Sequence, residues 1–275
     1  MKENTSLAAK ISGAPYIAWM IIFIIFPLAV VAYFAFTDST GSFTLNNIAT
    51  LSRYSDTFLR SIWFGLIATL ICLIISYPLA YIISQTSQDK QRIIIMLVML
   101  PMWMNFLLRT YSWMLILEDT GIINNWLIKM GLEPVQMINT SGAVVLGMVY
   151  NYLPYMILPL YSIMSRMDNS IIEAAKDLGG NSAVVIQKVI FPLSMPGVVS
   201  GITMVFVPSV STFYISQKLG GGKFTLIGDV IEMQFQTSYN YNLGAAMSLA
   251  LMVLILACLF IMNKFADEDE GGIIV

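Results

Sequence analysis

Apolar residues dominate the chain in blocks rather than in alternation. Six runs are long enough to cross a hydrocarbon core as a helix, which takes about 20 residues. They fall at 15 to 36, 58 to 84, 93 to 117, 142 to 164, 196 to 216 and 244 to 264. Between the fourth and fifth runs the periodicity changes. Ser170 and Glu173 form an S-x-x-E capping box, which predicts a short helix from about residue 171. Gly179 offers a left-handed stop for it. Asn181 or Ser182 can cap a second short helix, which Pro192 is expected to close. The resulting expectation is an all-α polytopic membrane protein with six transmembrane helices and a patterned loop at about 165–195. In this division residues 1–57 hold the N-terminal segment, first helix and first loop, 58–264 form the main transmembrane domain, and 265–275 form an acidic tail.

Composition narrows the chemistry. Of the 275 residues 57% are hydrophobic and 11% charged, against about 45–50% and about 25% in soluble domains. Histidine is absent, which removes His-based triads and His-ligated metals. Cys72 and Cys258 each lie within a long apolar run, so neither a CxxC site nor a disulfide framework is available. A net charge of -2 gives no basic footprint for nucleic acid. No catalytic constellation and no metal site is expected.

The basic residues orient the spans, because cytoplasmic segments carry the Lys/Arg excess. With the N-terminus inside, Lys2, Lys10, Lys90, Arg92, Arg166, Lys176, Lys188 and Lys264 are cytoplasmic, while Arg53, Lys129, Lys218 and Lys223 are outside and Arg60 is at an outer helix edge. Both termini are therefore expected in the cytoplasm, and the patterned loop with them. The first span is expected to be an uncleaved helix, since it exceeds a signal h-region and its exit, Ala35-Phe36-Thr37-Asp38, lacks an A-x-A site.

The loop's residues resemble a known motif. Glu173-Ala174-Ala175, Leu178-Gly179, Ile186, Val189, Pro192 and Pro196-Gly197 are similar to the EAA loop of ABC importer permeases. The resemblance implies that Glu173, Ala174, Ala175, Leu178 and Gly179 form a coupling helix docked on a separate ATPase subunit, with Glu173 facing a basic group. Small side chains suit such a helix-in-groove approach. ATP and Mg are then expected on partner subunits, and this chain carries no cofactor. Its nearest phosphate-loop look-alike, Gly220-Gly221-Gly222-Lys223, is followed by Phe224 rather than Ser or Thr and reads as a glycine turn.

A second stretch, Leu100 to Trp113 with Gly121 to Leu127, resembles spermidine/putrescine permeases of the B-type, as do Phe213 to Ser216 and Ile227 to Phe235. That resemblance implies a second permease, two ATPase subunits, an extracytoplasmic binding protein and the bacterial inner membrane. Relatives often carry an acidic residue beside Ser216, where this chain has Gln217 and Lys218. A polycation suits carboxylates and aromatic faces, so the expected pathway residues are Glu118, Asp119, Asp229 and Glu232 with Trp103, Tyr111, Trp113 and Tyr214. The same aromatics suit an interfacial belt, and the carboxylates suit solvated loops or binding-protein contacts. Arg109 lies about 24 Å along its span at ~1.5 Å per residue. It is expected to snorkel or to bond structurally with Asn105 or a neighbouring helix rather than to bind substrate. Prolines 27, 78, 101, 154, 159 and 208 fall within spans, where they can kink helices and free carbonyls. Two alternatives remain: an importer permease for another solute, such as an aminophosphonate or iron complex, and a secondary transporter.

Overall fold

The computed structural model describes residues 15–271. Among them the regular structure is helical, with one isolated bridge, Thr37 to Phe43. The helices longer than five residues are α1 (Pro15–Ala35), α2 (Ser55–Ser84), α3 (Gln88–Trp103), α4 (Phe106–Leu117), α5 (Ile122–Lys129), α6 (Ser141–Met164), α7 (Asn169–Asp177), α8 (Ser182–Val210), α9 (Tyr214–Gly220), α10 (Ile227–Gln236) and α11 (Tyr241–Gly271). Five described helical stretches are long and apolar enough to span a membrane, and six if the bent α3 to α5 run counts as one.

Three sequence expectations change. The third span is not one helix over 93–117: it breaks at Met104 and Asn105, and the two halves diverge by 89°. Met104 takes extended backbone, and the Asn105 side chain accepts from the Leu107 N–H at 2.8 Å. This local cap starts a new helix at Phe106, just after the old one has ended at Trp103 with the Met104 N–H on the Pro101 carbonyl. The fifth span starts earlier and ends sooner than 196–216. It runs Ser182–Val210, then breaks over Ser211 to Phe213 before α9. It starts earlier because Pro192 does not close the second short helix, which runs on into the span. The chain widens into a π-turn at Ile186–Ile190, where the Phe191 N–H reaches back to the Ile186 carbonyl, and the register shift absorbs the proline near the start of the following α-turns.

The third change concerns α7, whose cap is Asp168 rather than Ser170. The Asp168 carboxylate accepts from the Ser170 N–H at 2.9 Å, and bonds from Ser170 hold its pKa below the usual 3.8. The far end behaves as expected. Gly179 has φ +85°, the Gly180 N–H bonds to the Ala175 carbonyl at 3.1 Å and the Gly179 N–H to the Lys176 carbonyl at 2.9 Å, the paired bonds of a Schellman stop. Asn181 then caps the next helix by accepting from Val184.

Two compact units can be distinguished. One comprises Asp56–Asp229 and the chain from Leu254. Its core draws Phe64, Ala68 and Cys72 from α2, Val144, Met148, Met156 and Leu160 from α6, Val198 and Val205 from α8, and Ile215 and Leu219 from α9. Helices α6 and α8 form its principal pair. They cross at Gly197 and Gly201, a G-x-x-x-G spacing that lets backbones approach. A Cβ on Gly197 would lie 3.0 Å from the Pro159 carbonyl. The other unit holds the chain up to Ser55 and Val230–Val253. There Asn242 donates to the Thr37 carbonyl at 2.7 Å and Asn47 to the same carbonyl at 2.8 Å, closing the turn after α1 around Ala35, Ala245 and Ala246.

The expected acidic tail continues α11 as helix to Gly271. Lys2, Lys10 and residues 272–275 lie outside the described residues.

Candidate functional site

Two places in the larger unit carry chemistry. The first is α7 with its flanks. Ile172 is buried with Val185 and Ile190, and Ala175 and Tyr81 pack on them. This anchors one face of a nine-residue helix. Glu173 and Ala174 are exposed, and Leu178 stands 90% exposed at the end of the helix. One turn therefore holds the loop to its own chain while the next presents an acid, a small residue and a bare leucine. An exposed leucine beside a charge, on a helix pinned from behind, is chemistry for docking in a groove.

The second place lies where α4 and α9 meet. The break after α8 returns the chain as α9, and the Asn105 cap redirects α4, so Phe106, Tyr111 and Tyr214 converge. Phe106 and Tyr214 have ring centroids 5.9 Å apart, and Tyr111 stands edge-on to Tyr214 at 6.1 Å and 81°. Lys218, one turn beyond Tyr214, places Nζ 5.5 Å from the Tyr111 centroid and 5.7 Å from that of Tyr214. A cavity of about 440 Å³ opens beside this corner, lined by Phe106, Leu107, Tyr152, Pro208, Phe213 and Tyr214 among others. The Pro208 carbonyl accepts from the Tyr152 hydroxyl at 3.3 Å. That volume lies within the range small-molecule sites occupy, ~300–1,000 Å³.

Of the sequence-expected residues, Tyr111 and Tyr214 are thus brought together. Trp113 turns instead to the core, edge-on to Tyr150 at 5.3 Å, and Trp103 ends α3 largely exposed. Glu118 and Asp119 are exposed in the turn between α4 and α5; the Glu118 carbonyl accepts from Gly121 and from Asn124. Asp229 is 8% exposed. Its carboxylate accepts from the Ser216 hydroxyl at 2.9 Å and from the Leu226 N–H at 2.7 Å, and the next amide, Ile227, donates to Ser61 at 2.7 Å. The acid that serves Ser216 thus comes from thirteen residues downstream. Glu232, in α10, is half-buried and has partners.

Arg109 is 8% exposed rather than snorkelled. Its guanidinium lies 5.9 Å from the Phe106 ring centroid, and Nε and Nη1 have no hydrogen-bond partner. Its link to Asn105 is through the backbone alone, at 3.2 Å. Phe106 and Lys218 were missed as site residues. Their only advance signal was the i, i+4 spacing of Tyr214 and Lys218, because the α4 to α9 meeting depends on two helix breaks.

The Asp229 clamp makes a testable element. Asp229→Ala would leave the buried Leu226 N–H without its acceptor and return the Ser216 hydroxyl to the Phe213 carbonyl, 2.7 Å away, costing roughly 1–3 kcal/mol. The expected result is a lower thermal unfolding midpoint of the purified protein in detergent, with Ser216→Ala producing a smaller drop. An unchanged midpoint for Asp229→Ala would show the clamp to be dispensable.

The family model described as "Binding-protein-dependent transport system inner membrane component" matches residues 90–267. Over 271 residues the chain is 38% identical to the spermidine/putrescine transport system permease protein PotB of Haemophilus influenzae, covering 95% of each. With the protein of that name from Escherichia coli K12 it shares 34% over 248 residues, covering 86% of this chain and 90% of that one. Among solved structures, a bacterial ABC transporter involved in import of the acidic polysaccharide alginate superposes with a TM-score of 0.74 at 17% identity, covering 92% of this chain and 93% of the other. At that identity the likeness establishes the fold.

Proposed function

The chain belongs to the binding-protein-dependent transport system inner membrane component family, and we propose that it is the polyamine-carrying permease subunit of an ATP-driven importer. The observation that carries this reading is the 38% identity, across nearly the whole of both chains, to a permease named for spermidine and putrescine. The aromatic corner supports it from the chemistry side, since it already holds an alkylammonium, that of Lys218.

In this reading the chain is a multi-pass inner-membrane protein with both termini in the cytoplasm. It pairs with a second permease, takes substrate from an extracytoplasmic binding protein and docks α7 on one of two ATPase subunits that hold ATP and Mg. Closure of those subunits pushes α7, whose Ile172 anchor passes the displacement to Val185 and Ile190 at the base of α8. The π-turn there and the break after Val210 are the two places where α8 departs from a rigid rod. Linkage requires that loaded binding protein on one side and ATP closure on the other favour each other by the same factor.

The assembled transporter in proteoliposomes, supplied with its binding protein and ATP, is expected to accumulate labelled spermidine. Robust uptake of an aminophosphonate or an iron complex with no spermidine or putrescine uptake would overturn the polyamine reading. Uptake that ignored ATP would return the chain to the secondary transporters.

A further inference from the structure

We propose that Lys218 is a tethered occupant of the polyamine seat, its side chain filling the Tyr111–Tyr214 corner until the aminobutyl end of the substrate displaces it. The proposal rests on the polyamine reading above and adds to it the seat, the residue that competes for it and the part of the substrate that enters.

The chemistry is a match of like with like. The side chain of lysine beyond Cα is four methylenes and a primary ammonium. Putrescine is the same four methylenes with an ammonium at each end, and spermidine carries the same aminobutyl arm. Lys218 directs this group onto two aromatic faces at once, at 5.5 and 5.7 Å, both within the ~6 Å reach of a cation–π contact. The Tyr111 and Tyr214 rings stand at 81° to each other, forming a corner rather than a stack, and Phe106 backs Tyr214. Phe106 and Tyr214 also line the cavity of about 440 Å³. The corner therefore adjoins space for the rest of a bound molecule, and the ammonium already in it belongs to the protein.

A group tethered on a short flexible stem competes at an effective concentration on the order of mM. It keeps the seat from holding substrate tightly and returns to it once the substrate has moved on. Lys218 lies on the same helix as Tyr214, one turn away, so it can leave the corner by side-chain rotation without unfolding α9.

The test is equilibrium binding of labelled spermidine to the assembled permease–ATPase complex in lipid nanodiscs, with the binding protein omitted so that its own affinity does not mask the seat. Lys218→Met keeps the length of the stem and removes the charge. It is expected to tighten spermidine binding about threefold or more, whereas Lys218→Arg leaves a cation in place and is expected to bind as the wild type does. Removing any nearby cation would also relieve repulsion, so the cycle is completed in a Tyr214→Leu background. If Lys218 acts by occupying the corner, its removal there gives little or no gain. A gain that persists in Tyr214→Leu, or no gain in Lys218→Met, would overturn the proposal. Lys218→Gln gives a second route should the Met variant not assemble, and failure of both to assemble would mark Lys218 as a structural cation and likewise overturn it. A wild-type transporter that moves another solute and no polyamine fails the underlying reading instead, a result the uptake measurement reports separately.

Discussion

Leu178→Asp is expected to abolish ATP-driven uptake and to release the ATPase subunit. Leu178 is 90% exposed in this chain, while Ile172, six residues earlier on the same short helix, is buried against Val185 and Ile190. The loop thus has an inner anchor and an outer apolar face. Fully burying a leucine is worth about 1.5–3 kcal/mol, which corresponds to roughly 10- to 150-fold in affinity, and a carboxylate placed in the same groove adds a desolvation penalty. Glu173→Arg, one turn back on the exposed side, is expected to act in the same direction by setting a cation against a basic partner. Co-purification of the tagged permease with its ATPase, measured beside spermidine uptake, checks both. Since neither side chain is buried in the chain itself, both variants should keep the wild-type thermal midpoint. Full ATPase association and full uptake in Leu178→Asp would remove α7 as the coupling element.

Gly197→Leu is expected to destabilise the close approach of α6 and α8. A Cβ there would lie 3.0 Å from the Pro159 carbonyl, 3.2 Å from Ile163 and 3.3 Å from the Leu160 backbone. Two of those neighbours are backbone atoms, which cannot swing away. Overpacking of a tight core site costs about 1–3 kcal/mol and sometimes more, and at ~2–4 °C per kcal/mol for a chain of this size the unfolding midpoint should fall by several degrees. Gly201→Ala is the informative contrast. Its Cβ would meet the Met156 sulfur at 2.5 Å, the flexible part of a side chain that can shift, so a smaller drop is expected. The pair is measured by thermal unfolding in detergent and by the monodisperse fraction on size exclusion. Equal, small effects at the two positions would show that α6 and α8 do not depend on this close approach.

Much of the architecture was legible from the chain. Spans, their order and the α7 stop at Gly179 follow from local quantities: apolar length against bilayer thickness, and the tolerance of glycine for φ +85°. The errors share a cause as well. Asn105, Asp168 and Ile186–Ile190 each changed a helix boundary through competition among nearly equivalent acceptors for a backbone N–H, side-chain oxygens at the first two and carbonyls at the third. Such competitions turn on tenths of a kcal/mol to about 1 kcal/mol, below what residue type alone discriminates. The G-x-x-x-G spacing at Gly197 and Gly201 was present in the sequence, but its partner surface on α6 was not.

By itself the sequence determined the solvent, the apolar stretches long enough to cross it and the short glycine-stopped helix between the fourth and fifth of them, because hydropathy and short-range spacing act within one helix or one turn. Only the tertiary structure decided which charges are available to a substrate. Asp229, a carboxylate that composition would offer to a cation, is closed by Ser216 and Leu226. Lys218, which composition would set against a cation, occupies the aromatic corner where one would sit. Both outcomes depend on groups meeting across breaks at Asn105 and Ser211, where the direction of the chain is set by packing rather than by the identity of the residues that turn.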